Sequence, residues 1–250
     1  MTTAAPFGRV LTAMATAFHD DGSVDLDGTA RIAAHLVDHG HDGVVVSGTT
    51  GESPTTSVAE DGDILRAVKD AVGDRATVVA GVGTNATAHS VELARQAEKL
   101  GADGLLLVTP YYNKPGQAGV LHHFDQVVHA SGVPVMLYDV PGRTATTIAL
   151  ETYEAAAQWD TVVAVKDAVG DYARGIRLQQ LGYAVYSGDD IATLGWLAHG
   201  GVANYGATTA KAALELLGVL DNRNVRSPLV PLDDAEVAAL RAGLAASGLI

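Results

Sequence analysis

Short apolar runs rich in β-branched residues recur along the chain, separated by longer stretches in which apolar residues return every three to four positions. The short runs are Val10 to Phe18, Gly43 to Ser47, Thr77 to Val82, Gly104 to Val108, Val133 to Tyr138, Val162 to Lys166 and Tyr183 to Ser187. Near-continuous apolar composition is what a strand buried on both faces requires. Between them lie helix-like runs, among them Asp27 to Asp38, Val91 to Leu100 and Gly119 to His129, and the Gly101-Ala102-Asp103-Gly104 turn reads as a helix stop. Seven β-then-α units in series predict a parallel sheet, and a chain of 250 residues favours a closed (β/α)₈ TIM barrel over an open doubly wound sheet. The eighth strand is the weak one. After a helical Ile191 to His199 only the glycine-rich stretch 200–206 remains, so Val202 to Tyr205 is expected to lie between strands seven and one as a short replacement. Two helices, Thr209 to Leu217 and Asp233 to Ser247, then form a short C-terminal extension, the second capped by Asp233 or Asp234. The expectation is one barrel domain over residues 1–250, with 209–250 as its C-terminal helices.

Composition narrows the function. With 48% apolar residues the chain can fill a barrel core, and with no cysteine it has neither disulfides nor a thiolate metal site, which fits a reducing cytoplasm. A net charge of −13 excludes a phosphate backbone or an anionic membrane as the natural partner, and no apolar stretch is long enough to span a bilayer. The ligand should be small.

In a barrel the chemistry belongs at the C-terminal ends of the strands and in the loops just after them. Strand six ends in Val165-Lys166-Asp167. A lysine there closes a strand at the surface in the bland reading, whereas at the rim of an apolar interior it loses hydration, its pKa falls, and the neutral amine can form an imine with a ketone. Its company favours the second reading. Strand two runs into Ser47-Gly48-Thr49-Thr50-Gly51-Glu52, whose glycines, N–H groups and hydroxyls suit a carboxylate, and strand four into Thr109-Pro110-Tyr111-Tyr112. Strand five ends in Tyr138-Asp139-Val140-Pro141-Gly142-Arg143-Thr144, and strand seven in Ser187-Gly188-Asp189-Asp190. An amine, phenols, hydroxyls and an arginine at one rim fit carbonyl chemistry through an imine.

These motifs, in this order over roughly residues 8 to 199, resemble the dihydrodipicolinate synthase branch of the N-acetylneuraminate lyase superfamily. The resemblance implies a class I aldolase barrel that condenses pyruvate with aspartate semialdehyde on the way to diaminopimelate and lysine. It implies Lys166 as the Schiff-base lysine and Tyr138 as the acid/base beside it, with Thr49 and Tyr112 completing a proton relay. Thr50 then holds the pyruvate carboxylate and Arg143 the semialdehyde's carboxylate, while Gly188 lines the substrate site. In this family the residue matching Tyr112 crosses a dimer interface, so a homo-oligomer, a dimer or dimer of dimers up to a homotetramer, is expected. No metal or cofactor is required, because the protonated imine is itself the electron sink. Arg143 favours the synthase over the sialic acid lyase branch; a related keto-acid aldolase or dehydratase is the alternative.

Two departures stand out. The late-helix motif Lys211 to Gly218 arrives almost directly after helix seven, so a segment that carries the family's eighth strand is missing, which makes a catalytically silent member the competing reading. The family's lysine-inhibition site matches Asn85 and Tyr111, but has Val58 and His89 where the sensitive pattern carries a histidine and a glutamate, so lysine inhibition should be weak or absent. Two further signals are set aside. Gly81-Val82-Gly83-Thr84-Asn85-Ala86 has dinucleotide-binding spacing but follows strand three rather than strand one. His35, His39 and His41 read as a polar helix end rather than metal ligands, and the adjacent His122 and His123 point to different sides of a helix.

Overall fold

The computed structural model describes residues 5–189 and 207–250. Its seven strands are β1 Leu11–Ala13, β2 Gly43–Val46, β3 Thr77–Gly81, β4 Gly104–Val108, β5 Val135–Asp139, β6 Val162–Asp167 and β7 Ala184–Ser187. All pair in parallel, in chain order from β1 to β7. The helices are α1 Leu26–Asp38, α2 Val58–Val72, α3 Thr87–Lys99, α4 Gln117–Val128, α5 Pro141–Thr144, α6 Leu150–Ala156, α7 Tyr172–Gln180, α8 Ala207–Leu216 and α9 Asp234–Ala246. The sheet curls with its helices outside, as the βα pattern requires.

Strand alternation divides the core into two layers. Leu11, Ala13, Val45, Val79, Leu106, Met136, Ala164 and Ala184 face the barrel interior, while Val44, Val78, Leu105, Leu137 and Val165 face the helices. The expected β1 extended to Phe18, but pairing stops after Ala13; Met14 to Phe18 stay buried while the chain leaves the sheet toward an antiparallel bridge between Phe18 and Val24. The Met14 N–H still donates to the Val45 carbonyl at 3.1 Å, and beyond it burial alone gives these residues their strand-like composition. β2 ends one residue early because Ser47 takes φ 50°. β5 starts two residues late, since Pro134 has no N–H for the ladder. α3 starts four residues earlier than its apolar spacing indicated, after Ala86, which has no capping side chain. Gly101, at φ 77°, stops that helix in the left-handed region.

Among the described residues no ladder joins β1 to β7. The expected eighth strand at Val202 to Tyr205 and the helix at Ile191 to His199 lie outside the described residues. A side chain bridges the two edges from within: the Tyr186 hydroxyl, at the end of β7, accepts the Phe7 N–H at 3.1 Å and donates to the Gly8 carbonyl at 3.0 Å.

The C-terminal part returns over the rim. α8 buries Lys211 and Ala212, and α9 opens on a capping box between Asp233 and Glu236. The intervening loop is tied down by Arg226, whose guanidinium donates to the carbonyls of Gly22 and Thr55 and to Glu60, with Nη2 at 2.5 Å from Oε1. The Arg226 hydrogen bond holds the Glu60 carboxyl well below its ordinary range, at about 2. A depressed folded-state pKa contributes stability that is complete above the ordinary carboxylate value of 4.5 and disappears as the pH falls toward 2. The difference in thermal midpoint between the parent chain and Glu60→Gln should therefore shrink steadily from about pH 5 to about pH 3; a constant difference across that range would contradict the pairing.

Candidate active site

β5 and β6 pair with Tyr138 opposite Lys166 and Asp139 opposite Asp167. The two-residue period of a strand then sends Tyr138 and Lys166 to the barrel interior and both carboxylates to the helix side. Lys166 Nζ lies 4.6 Å from the centre of the Tyr138 ring, and the two residues are only 6% and 5% exposed. Burial pushes the Tyr138 phenol up, against the Arg143 charge and a side-chain hydrogen bond with Thr49. The phenol is thus protonated near neutral pH and available as a donor.

Both residues open into a cavity of about 780 Å³ also lined by Thr49, Thr50, Arg143 and Gly188. Of the seven residues singled out from sequence, six share this cavity. Tyr112 does not: it is 89% exposed, sits at φ 71°, and borders a neighbouring cavity of about 330 Å³ with Thr49, Tyr138 and Arg143. Arg143 stands exposed at the mouth, on the short helix that Pro141 opens after β5.

Close backbone approach shapes this rim. A Cβ on Gly81 would meet the Ser47 carbonyl oxygen at 2.0 Å, and one on Gly83 the Val108 amide nitrogen at 2.4 Å. The glycine run that imitates a dinucleotide fingerprint therefore lets the β2 loop and the end of β4 pack against β3. The Gly188 N–H donates to the Asp167 carbonyl at 2.6 Å, and a Cβ there would lie 2.9 Å from that of Ala168.

Behind the interior pair, the two outward carboxylates share one cation, a contact absent from the sequence reading. Arg174 of α7 donates from Nη1 to Asp167 Oδ2 at 2.8 Å and from Nη2 to Asp139 Oδ2 and the Ile148 carbonyl. Asp167 also accepts the N–H groups of Val169 and Gly170, and Asp139 those of Ile148 and the Tyr153 hydroxyl. Burial pushes both carboxyls up; the strongest opposing influence is Arg174 for Asp139 and the Gly170 N–H, followed by Arg174, for Asp167. Two strand-end carboxylates buried side by side signal that a cation must exist, but spacing alone does not say which. The histidines lie apart from this rim: His35 and His39 stack with ring centres 4.1 Å apart at the end of α1, and His41 contacts Thr12 on β1.

A parallel barrel with a buried lysine against a buried tyrosine at its C-terminal rim has the form of an imine-forming, class I type aldolase. The dihydrodipicolinate synthetase family matches residues 6–210, and the chain belongs to that family. It is 52% identical to a 4-hydroxy-tetrahydrodipicolinate synthase of Acidothermus cellulolyticus, over 98% of this chain and 94% of the relative. It is 56% identical to 4-hydroxy-tetrahydrodipicolinate synthase 2 of Streptomyces coelicolor, over 86% of this chain and 73% of that one. Among solved structures, that of the synthase from Cyanidioschyzon merolae with lysine bound superposes with a TM-score of 0.94 at 33% identity, covering 99% of this chain and 100% of the other. The Acidothermus alignment runs over 289 positions against the 250 residues of this chain, so at least 39 of its positions have no counterpart here.

Removing Arg174 would leave two buried carboxylates without their cation. Arg174→Met should lower unfolding stability by about 3 to 5 kcal/mol in chemical denaturation, the cost of breaking a buried ion pair from one side. A loss below about 1 kcal/mol would show that the bridge is not what holds β5 and β6 together.

Proposed function

We propose that this chain condenses pyruvate with L-aspartate 4-semialdehyde to give 4-hydroxy-tetrahydrodipicolinate, through an imine at Lys166. The observation that carries the reading is the buried Lys166–Tyr138 pair in a cavity shared with Thr49, Thr50 and Arg143, in a chain 52% identical to a synthase of that name. Lys166 Nζ adds to the ketone carbon of pyruvate, and water leaves as the protonated imine forms. Loss of a methyl proton gives the enamine, whose carbon attacks the aldehyde. The amino group of the semialdehyde then adds to the imine carbon, closing the ring and releasing Lys166. The protonated imine serves as electron sink, so the cycle needs no resident metal or cofactor.

The remaining residues take roles that their positions support. Tyr138, protonated and hydrogen bonded with Thr49, carries protons to and from the imine nitrogen and the departing water. Thr50 receives the pyruvate carboxylate, Gly188 lets the substrate approach the backbone, and Arg143 at the mouth pairs with the semialdehyde's carboxylate. Tyr112, exposed in the single chain, completes the relay in a partner protomer of a homodimer or dimer of dimers. His89 stands where the lysine-sensitive pattern places an acid and so removes a partner for an amine, which supports weak or absent inhibition by lysine. No helix among the described residues is long and apolar enough to cross a membrane, and the lack of cysteine fits a cytoplasmic enzyme.

Pyruvate with borohydride should add mass at Lys166, and Lys166→Ala should abolish both the adduct and the condensation; an adduct that survives the substitution would overturn the assignment. Arg143→Ala should raise the half-saturating semialdehyde concentration about 30-fold, equivalent to roughly 2 kcal/mol for a lost charge-assisted contact, while the pyruvate adduct still forms. Equal loss of both would place Arg143 elsewhere in the mechanism.

A further inference from the structure

The cavity that holds Lys166 has a second wall, made by Thr208, Arg226, Pro228 and Leu229, all C-terminal to the strands. What seats this wall is a carboxylate in the loop after β2. Glu52 follows Thr49, Thr50 and Gly51, has a left-handed backbone at φ 61°, and is 3% exposed. Its Oε1 lies 2.5 Å from Lys211 Nζ, and its Oε2 accepts the Arg226 N–H at 2.7 Å. Lys211 has no exposed surface; its Nζ also donates to the Asn224 carbonyl at 2.7 Å and stands 4.3 Å from the centre of the Phe18 ring. With these contacts its ammonium is committed to the protein, so it is not a second nucleophile.

The same glutamate fixes the loop before it. Its N–H donates to the Thr49 carbonyl at 3.1 Å, and its carbonyl accepts the N–H and hydroxyl of Thr55. The Ser53 N–H reaches the Gly48 carbonyl at 3.2 Å, and the Gly51 carbonyl accepts the Thr16 hydroxyl at 2.8 Å. A non-glycine residue in the left-handed region is retained where the surroundings over-determine it, and here the surroundings are Lys211 and Arg226. The loop that presents Thr49 and Thr50 to the cavity therefore takes its shape from a side chain whose partners lie more than 150 residues away, at separations of 159 and 174.

We propose that Lys211 is a positioning residue for keto-acid binding: by holding Glu52 it sets Thr49 and Thr50 to receive the carboxylate of the first substrate. Residues 208–229 are then a working wall of the site in this shortened chain. The inference rests on the reading of the cavity as a pyruvate site.

Two variants test it, Lys211→Met and the double variant Glu52→Gln/Lys211→Met, which removes the buried charge together with its partner. Each is measured for thermal midpoint, for the pyruvate concentration that half-saturates borohydride trapping, and for the half-saturating semialdehyde concentration. Lys211→Met should raise the pyruvate value about tenfold or more and leave the semialdehyde value within about twofold. The double variant should regain most of the lost thermal midpoint, because no unpaired carboxylate is left buried, yet keep the raised pyruvate value. Should Lys211→Met fail to fold, the double variant carries the comparison alone. A pyruvate value within about twofold of the parent in a folded variant, or its recovery together with the thermal midpoint, would overturn the positioning role. A parent chain that gives no pyruvate adduct would instead overturn the reading of the site itself, and this inference with it.

Discussion

The pairing of β5 with β6 is the constraint on which the rest of the site depends. One register decides four positions together: Tyr138 faces Lys166 across the ladder, and Asp139 faces Asp167. A slip by one residue would turn the amine toward the helices and carboxylates into the cavity. Backbone bonds alone tolerate such slips in apolar strands, but the Arg174 guanidinium does not, since it reaches both carboxylates only when they are level. The cost of two desolvated acids and one desolvated base is thus spent on geometry rather than on net stability.

Around that pair the rim is assembled from backbone conformations that ordinary residues avoid. Ser47, Glu52, Tyr112 and Ala145 all have positive φ, and each lies in a loop that follows β2, β4 or β5. Gly81 and Gly83 remove the side chains that would keep these loops off the strands. Strain and close approach are concentrated at the end of the barrel that carries the cavity, whereas the interior layer below it is aliphatic packing around the Phe7 and Tyr186 rings.

Much of this was legible in the sequence, for reasons that also explain what was not. β4 coincides with its apolar run, since every residue in it is paired and all but Val108 are buried. The overextended β1 shows the limit of that signal, because composition reports burial and Met14 to Phe18 are buried beyond the end of the strand. Lys166 and Tyr138 stood out as polar residues ending apolar strands, a local contrast visible within a few positions. Arg174, Lys211 and Arg226 carried no such contrast: none ends an apolar strand, and what makes each matter is a carboxylate 35, 159 or 174 residues earlier. Tyr112 was legible only through family resemblance, since a single chain leaves its ring in solvent.

The tie between Glu52 and Lys211 also orders events in time. During synthesis the seven strands and their buried lysine emerge from the ribosome before α8 exists, and domains begin to fold as they appear. Until residue 211 has been added, the β2 loop has neither of the C-terminal groups that grip its glutamate, and until residue 226 it lacks one of them. A nascent barrel can therefore hold its nucleophile in place while its keto-acid loop is still unset, so that competence comes as a last step of maturation, when the chain's end folds back over its beginning.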